Sequence, residues 1–467
     1  MGKKKFPRFY LLTLGCPKNM VDSEGMSELL TGNGYRAADD PARAEVLIVN
    51  TCGFLQAASD ESIGALRELA ATKNPGQILV AAGCMAQRFG ADLTRQVPGL
   101  DGLIGTRSWP DIVPFVHELR ADHRPAPLFH LPETGGVPIE TLALGRVGQG
   151  RRASAYLKIS EGCSAPCAFC TIPSIKGPGR SRPKGLILRE AQALAAQGVQ
   201  ELILIAQDTT AYGRDRGGQN GLPTLIEDLL RAVPDLRWLR LMYAYPGHVD
   251  QRLIEVMAAH PQVCHYLDLP LQHGHPDTLR RMRRPHNVEN LLRWIESFRA
   301  AMPDAALRST FIVGYPGESE AEFQGLLDFM QAVQFDRVGV FPFSREPGTP
   351  AYDLPDQVPD EVKQAQYQRV MEQQQAISLA RNQSQIGRQL EVLVEGANEG
   401  VSIARSYRDA PEIDGFVIVE EERPVGRMLP VLVTGAMVYD LLAVPASPHP
   451  PISLLPPSSG EEGGAGG

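Results

Sequence analysis

The fold of this chain is constrained most by short apolar runs that alternate with helical stretches in two separate blocks. Such alternation is typical of parallel sheets, because two parallel strands need a crossover connection, usually a helix, between them. The first block, residues 6–120, contains the candidate strands Tyr10–Leu14, Val46–Asn50 and Ile78–Ala82. The second block, residues 153–383, contains six candidates, which are Ala155–Ser160, Glu201–Ala206, Trp238–Met242, Tyr266–Leu269, Arg308–Val313 and Arg337–Phe341.

This pattern predicts an α/β protein with two parallel-sheet units. The first block predicts an N-terminal α/β domain, and the six repeats of the second predict a central full or partial β/α barrel. In both architectures ligands bind at the carboxyl ends of the strands. We therefore expect the functional residues to follow the strands directly.

The remaining segments differ in composition. Residues 121–152 are rich in proline and glycine and predict a linker. Residues 384–445 contain short β-branched runs, such as Leu390–Val394, Gly415–Val419 and Met428–Val433, and predict a small antiparallel β-barrel. Residues 446–467 are rich in proline, serine and glycine and predict a disordered tail.

Composition narrows the functional classes. No apolar run reaches the roughly 18 residues of a membrane-spanning helix, and the apolar stretch after the basic start is too short for a signal peptide. We expect a cytoplasmic protein with no membrane partner. The formal net charge is −8, which disfavours nucleic acid as the main partner, although a local basic groove stays open. Seven cysteines in such a chain favour metal binding or redox chemistry over disulfides.

Three of these cysteines form a compact motif. Cys163, Cys167 and Cys170 follow the first strand of the second block with CxxxCxxC spacing. Three thiolates can hold three irons of a cubane cluster and leave the fourth iron open, and an open iron can chelate the amino and carboxylate groups of S-adenosylmethionine. A structural zinc site is the alternative, but zinc prefers four closed ligands and no histidine lies in this loop.

Three further cysteines are far apart in the sequence but share one context. Cys16, Cys52 and Cys84 each come just after an apolar strand-like run. Because the carboxyl ends of parallel strands meet at one edge of a sheet, these thiols could hold a second cubane with an open iron. The alternative is three separate buried cysteines. We interpret Cys264, which has no companion, as a core residue.

The compact motif resembles the signature of the radical S-adenosylmethionine superfamily, and Phe311–Glu318 resembles that superfamily's GxIxGxxE element. The resemblance implies that Gly314 and Gly317 flank the adenine, where glycine lets backbone approach a ligand. Phe169 could pack beside the cofactor. Gln207 and Gln272 follow the second and fourth barrel strands and could contact cofactor or substrate. A structural hydrogen-bonding role is the alternative for each of them. No side chain is assigned a catalytic role.

The two cysteine sets together resemble the radical S-adenosylmethionine methylthiotransferases. The resemblance is carried by the segments Leu14–Asn19, Asn50–Phe54 and Gly83–Gln87 and by the order of three domains. It implies an N-terminal cluster domain, a radical barrel and a C-terminal TRAM barrel, with two 4Fe–4S clusters and S-adenosylmethionine as cofactors. It also implies insertion of a methylthio group at an unactivated C–H bond, with the N-terminal cluster carrying the sulfur.

Within that family, several segments resemble the RimO type, which modifies the β-carbon of an aspartate in small-subunit ribosomal protein twelve. They are Cys16–Asn19, Ala206–Gly213, Tyr266–His273 and Ser406–Gly415. Charge agrees with a basic protein as partner, because residues 384–444 hold five arginines, no lysine and ten acidic residues, a net charge of −5. A solvated acidic surface without a recognition role is the other reading.

We therefore expect a basic ribosomal protein, free or on the ribosome, as substrate, together with a reductant for the clusters. Methylthiolation of an adenosine in transfer RNA is the alternative substrate. The arginines at 280, 281, 283 and 284 are the best place for secondary contact with nucleic acid, although such a run is usually a solvated helix face. A non-catalytic metal-binding scaffold is the alternative from another class.

Overall fold

The N-terminal region forms a six-stranded parallel sheet in the order β2-β1-β3-β4-β5-β6. The computed structural model describes residues 6–121, 127–140, 153–218 and 220–446. Apolar side chains pack on both faces of this sheet, which explains why its strands are continuous apolar runs. Its elements are β1 (Arg8–Thr13), α1 (Pro17–Gly32), β2 (Arg36–Ala37), β3 (Val46–Thr51), α2 (Gln56–Thr72), β4 (Ile78–Gly83), α3 (Cys84–Phe89), α4 (Ala91–Gln96), β5 (Gly102–Gly105), α5 (Ile112–Ala121) and β6 (Leu128–His130).

The three strands predicted in this region are present as β1, β3 and β4. Three short strands were not predicted, and one of them, β6, lies inside the predicted linker of residues 121–152 and extends the sheet. Three residues are too few for a recognisable strand pattern, and proline and glycine surround them. Residues 122–126 and 141–152 of that linker, and residues 447–467 of the predicted tail, lie outside the described parts of the chain.

The central region forms a second parallel sheet of six strands in the order β14-β13-β12-β11-β10-β7. These are the six predicted strands, and the sheet is an open, partial β/α barrel with helices packed on its outer face. Its elements are β7 (Ser154–Lys158), β8 (Ser160–Glu161), α6 (Ile172–Lys176), β9 (Arg180–Ser181), α7 (Lys184–Ala196), β10 (Glu201–Ile205), α8 (Gly221–Ala232), β11 (Trp238–Leu241), α9 (Gln251–Ala259), β12 (Val263–Asp268), α10 (Pro276–Arg281), α11 (Val288–Ala301), β13 (Ala306–Val313), α12 (Glu320–Val333), β14 (Arg337–Pro342) and α13 (Asp360–Gln383).

The C-terminal region is a closed barrel of five strands in the order β15-β16-β17-β19-β18. Its strands are β15 (Gln389–Asn398), β16 (Val401–Ser406), β17 (Val417–Val419), β18 (Met428–Ala436) and β19 (Leu441–Pro445). The prediction of an antiparallel barrel holds for four of the five strand pairs. The pair of β17 and β19 is parallel, because β19 turns back from β18 and then closes the barrel against β17.

This barrel is fixed to the central sheet through charged side chains. Arg240 on β11 donates to the carbonyl oxygens of Ser406 and Tyr407, and Arg405 pairs with the buried carboxylate of Glu201. Burial opposes ionisation of Glu201, but Arg405 and Arg240 outweigh it and lower its pKa to about 2. The residues at the end of β16 and just after it therefore dock on the strands of the central sheet.

Candidate functional site

The N-terminal cysteines lie at the carboxyl ends of three neighbouring strands. Cys16 follows β1 and precedes α1, Cys52 follows β3, and Cys84 begins α3 directly after β4. These three strands are adjacent in the sheet, so residues separated by 36 and 32 positions in the sequence come together. The prediction that the strand ends converge is confirmed for all three.

Two glycines let the cysteines approach one another. Gly15 has a φ of +88°, and a Cβ there would lie 2.7 Å from the Cβ of Cys52. Gly83 has a φ of +94°, and a Cβ there would lie 2.2 Å from Oδ1 of Asn50. Both backbone conformations favour glycine and both positions lack space for a side chain. Glycine directly before Cys16 and Cys84 therefore serves the close packing of the three strand ends.

The second set comes from the loop between β8 and α6. Cys163, Cys167 and Cys170 lie on this one loop at the carboxyl end of the first barrel strand. The N–H of Ala165 donates to Sγ of Cys163 at 3.4 Å, and Nη1 of Arg284 donates to Sγ of Cys167 at 3.4 Å. The Ala165 N–H lowers the pKa of Cys163, against the larger effect of burial.

All six cysteines line one cavity of about 460 Å³ between the N-terminal sheet and the central barrel. The lining is mostly apolar and is completed by residues at the carboxyl ends of the barrel strands, including Gln207, Tyr243, Tyr245, Gln272, Thr310 and Phe343. A largely apolar cavity with a few convergent polar groups is the usual form of a ligand site. The two cysteine sets thus share one site.

Burial controls the protonation of these thiols. It raises the pKa of Cys84 to about 12, that of Cys170 to about 12 and that of Cys163 to about 11, and it also raises the pKa of Cys52. Such thiols stay protonated at neutral pH unless a metal cation replaces the proton. The donor sets therefore suit a strongly bound metal group rather than free reactive thiolates.

The donor count disfavours a single zinc ion at either set. Structural zinc is usually held by four protein ligands. Each cysteine set brings three thiols to the cavity. Three thiolates suit a cubane cluster that keeps one iron open.

A buried ion network joins the two domains beside the cavity. Lys158 pairs with Asp22 and Glu161, and Lys176 lies 3.5 Å from Asp22 and 3.4 Å from Glu161. Burial opposes ionisation of Glu161, but Lys158 and Lys176 outweigh it and lower its pKa to about 2. Because Asp22 lies on α1 and the other three residues belong to the barrel, the network holds one cysteine set against the other.

A second buried ion pair joins the same two domains. Nη1 of Arg88 lies 2.9 Å from Oε2 of Glu346, and the backbone N–H of Gln56 donates to Oε1 of the same carboxylate at 2.9 Å. Arg88 and Gln56 lie in α3 and α2, and Glu346 follows β14. The opening between the two domains is therefore fixed on two sides.

Comparison with known proteins agrees with this architecture. The chain matches the uncharacterized protein family UPF0004 over residues 8–105, the Radical SAM superfamily over residues 157–330 and the TRAM domain over residues 386–445. It is 52% identical to the ribosomal protein uS12 methylthiotransferase RimO of Chloroflexus aurantiacus over 456 residues, which covers 93% of this chain and 98% of that protein. The chain belongs to the RimO family of radical S-adenosylmethionine methylthiotransferases.

Further relatives support the same family. The RimO of Roseiflexus sp. is 50% identical over 455 residues, covering 93% of this chain and 96% of that protein. Among solved structures, the radical S-adenosylmethionine methyltransferase TsrM from Kitasatospora setae, with cobalamin and a 4Fe–4S cluster bound, matches with a TM-score of 0.53 and 16% identity, covering 74% of this chain and 77% of that one. At that identity the likeness shows the fold alone.

The site of this RimO-family chain contains most of the predicted residues. Phe169, Gln207 and Gln272 line the cavity with the six cysteines. Gly314 and Gly317 are not among the lining residues: a Cβ at Gly314 would meet the Lys363 side chain at 2.2 Å, and one at Gly317 would lie 3.6 Å from Arg281. Their contact with an adenine stays a prediction.

Several site residues were not predicted from sequence. Lys18 and Tyr243 line the cavity. The backbone φ is +63° at Tyr243 and +76° at Gln272. Non-glycine residues in this strained region cluster at functional sites. Arg284 was read as part of a solvated helix face, which is wrong: it is 7% exposed and its guanidinium contacts a loop cysteine. Arg284 and Cys167 are 117 residues apart in the sequence, so their contact could not be predicted from either segment.

Proposed function

We propose that this chain inserts a methylthio group at the β-carbon of an aspartate in ribosomal protein uS12. The names of its relatives state methylthiotransferase activity on uS12 for those proteins. The observation that carries the proposal is the convergence of both cysteine sets on one cavity. A reaction that needs a radical and a sulfur atom at the same carbon requires both sources to face one substrate. We assign residues 6–120 as the cluster domain, 153–383 as the radical domain and 384–445 as the TRAM domain.

The two cysteine sets would each hold one 4Fe–4S cluster. Each set supplies three thiols, and three thiolates on a cubane leave one iron of that cluster open. When bound, the barrel cluster would supply the electron that cleaves S-adenosylmethionine into a radical, and the N-terminal cluster would carry the sulfur. A second molecule of S-adenosylmethionine would supply the methyl group. An external reductant would reduce the barrel cluster.

The polar residues of the cavity suit S-adenosylmethionine or substrate. Gln207 has neither its amide N–H group nor its carbonyl oxygen paired within the protein, although both atoms are buried. Buried amides are normally hydrogen-bonded, so an unpaired one facing a cavity indicates a ligand contact. Gln272 holds its side chain at the cavity through a strained backbone, and Phe169 adds an apolar wall.

Protein rather than RNA is the substrate that the charges favour. In the arginine run at residues 280–284, Arg280 pairs with Asp277, Arg281 pairs with Glu322 and Arg284 is buried. Arg283 is exposed and remains for contact with phosphate. The C-terminal barrel keeps exposed acidic side chains at Glu399, Glu420 and Glu422. Within the described residues, no helix combines the length and apolarity that a membrane crossing requires.

The proposal is tested by mass spectrometry of uS12 from a strain that lacks the gene for this chain. We expect the mass of the aspartate-containing peptide to fall by one methylthio group and to return on complementation with the wild-type gene. A gene in which Cys163, Cys167 and Cys170 are alanine serves as the matched control. An unchanged methylthio mark in the deletion strain would contradict the proposal, and loss of a methylthioadenosine from its transfer RNA would support the alternative substrate.

A further inference from the structure

Lys18 is a buried lysine that has no carboxylate within ion-pair distance in the described parts of the chain. It lies in the first turn of α1, two residues after Cys16, and is 8% exposed. Its Nζ lies 2.9 Å from the centre of the Tyr243 ring at the wall of the cavity. Within the described parts of the chain, no ion pair of 4.0 Å or less includes this ammonium. The negative groups that act on it are Cys16, which the proposed function assigns to a cluster, and Asp268.

The other charged groups near Lys18 are already paired. Lys176 lies within ion-pair distance of Asp22 and Glu161. Asp268 accepts from Nη1 of Arg308 at 2.8 Å and from the backbone N–H of Tyr243 at 3.1 Å. Burying an ammonium without an anion is unfavourable. Lys18 therefore suits an anion that enters the cavity with a ligand.

The position of Lys18 matches one particular anion. Its backbone belongs to the cluster domain and its ammonium lies on a ring from the barrel, so the charge sits at the junction of the two cysteine sets. The carbon that reacts must be reached from both sets. In an aspartate side chain the β-carbon is bonded directly to the carboxylate, so the carboxylate must lie at the same junction.

We infer that Lys18 binds the carboxylate of the target aspartate and so selects this side chain over a neutral one. The inference rests on the proposed function, because it assumes a protein aspartate as substrate. The Tyr243 ring covers one side of the ammonium and leaves its remaining N–H groups for the ligand. A charge-assisted hydrogen bond in an apolar cavity gives both binding energy and orientation. Lys18 is thus a specificity-determining residue for the reaction.

The test compares two peptides on five enzymes. A fluorescent peptide carrying the target segment of uS12 is made with aspartate or with asparagine at the target position. Its Kd is measured on the full-length, iron-loaded wild-type enzyme and on the Lys18→Met, Lys18→Gln and Lys18→Arg variants. The Lys184→Met variant is the control, because it removes an exposed lysine whose partner is Asp228 on the outer helices.

We expect the wild type and Lys184→Met to bind the aspartate peptide about tenfold to a hundredfold more tightly than the asparagine peptide. Lys18→Met and Lys18→Gln should lose that preference while their Kd for the asparagine peptide changes less than about twofold. Lys18→Arg, which keeps the charge, should retain part of the preference.

Two results would overturn the inference. If Lys18→Met and Lys18→Gln raise the Kd of both peptides equally, Lys18 supports the cofactors or the fold and does not contact the carboxylate. If these variants keep the preference for the aspartate peptide, Lys18 does not take part in recognising it. The proposed function is judged separately, by whether the wild type methylthiolates the aspartate peptide. If the wild type does not methylthiolate the aspartate peptide, the proposed substrate is wrong. If it does, but the Lys18 variants keep the preference for aspartate, the Lys18 contact alone is wrong.

Discussion

The two cysteine sets reach the same cavity by different routes. Cys163, Cys167 and Cys170 lie within eight residues on one loop, and their relative positions depend on that loop. Cys16, Cys52 and Cys84 lie on three separate strand ends, and they meet because β1, β3 and β4 are neighbours in a sheet. The first set is a local motif, and the second exists through tertiary structure. The difference predicts different sensitivities to mutation.

The largest expected effect separates the two chemical roles. Replacing Cys163, Cys167 and Cys170 by alanine should lower both cleavage of S-adenosylmethionine and methylthiolation by more than about a hundredfold, because the ligands of the radical cluster are lost. Replacing Cys16, Cys52 and Cys84 by alanine should lower methylthiolation equally but leave cleavage measurable. Product analysis by liquid chromatography and mass spectrometry measures both.

Cys264→Ala is the matched control, since that cysteine is buried in β12 and does not line the cavity. It should keep both activities. If the N-terminal variant lost cleavage to the same extent as the loop variant, the division of roles between the two sets would be wrong.

Much of this comparison was accessible from the sequence. The loop motif was readable because its spacing is local, and the strand-end set was readable because each cysteine follows a clear apolar run. The order of the strands in the sheet, which makes Cys16, Cys52 and Cys84 neighbours, is not encoded in any one segment. The same holds for Arg284, whose contact with Cys167 depends on how the segment after α10 packs against the cysteine loop.

Charge counting shows the same limit. The −5 of residues 384–444 suggested an acidic surface, but part of that charge is not on the surface. Asp409 pairs with Arg337 and Asp414 with Arg308, and both carboxylates are buried. Since both arginines belong to the central barrel, a count over one domain could not include them. Pairing across a domain boundary is a tertiary property.

A second prediction concerns the network that holds the two sets together. Asp22→Asn removes one carboxylate from a buried group with Lys158 and Lys176, and breaking such a network typically costs about 3–5 kcal/mol because a buried charge loses its partner. We expect a clear fall in the thermal unfolding temperature. Differential scanning calorimetry measures it.

Asp60→Asn serves as the control for Asp22→Asn. Asp60 is exposed on α2, where it accepts a hydrogen bond from the Gln56 side chain. Its replacement should change the unfolding temperature little. Equal unfolding temperatures for the two variants would show that the network does not hold the domains together.

The smallest expected effect distinguishes the environments of the two sets. Nη1 of Arg284 donates to Sγ of Cys167, and a donor to a cluster sulfur stabilises the reduced, more negative state. Arg284→Leu should lower the midpoint potential of the loop cluster by roughly 60 mV, the one-electron equivalent of a hydrogen bond of ~1.4 kcal/mol. The N-terminal cluster should keep its potential.

A redox titration followed by electron paramagnetic resonance measures both potentials. Arg280→Leu is the control, because Arg280 is exposed and pairs with Asp277 on the same helix. A shift in both clusters, or in neither, would show that the Arg284 contact does not tune the loop cluster selectively.

The most direct test of the central claim, that each cysteine set holds its own cluster, is the iron content of the anaerobically reconstituted protein. The wild type should bind about eight irons per chain, and each triple-alanine variant about four, with the Mössbauer signature of 4Fe–4S clusters. Loss of all iron from either triple variant, or about four irons in the wild type, would contradict two independent clusters at one cavity.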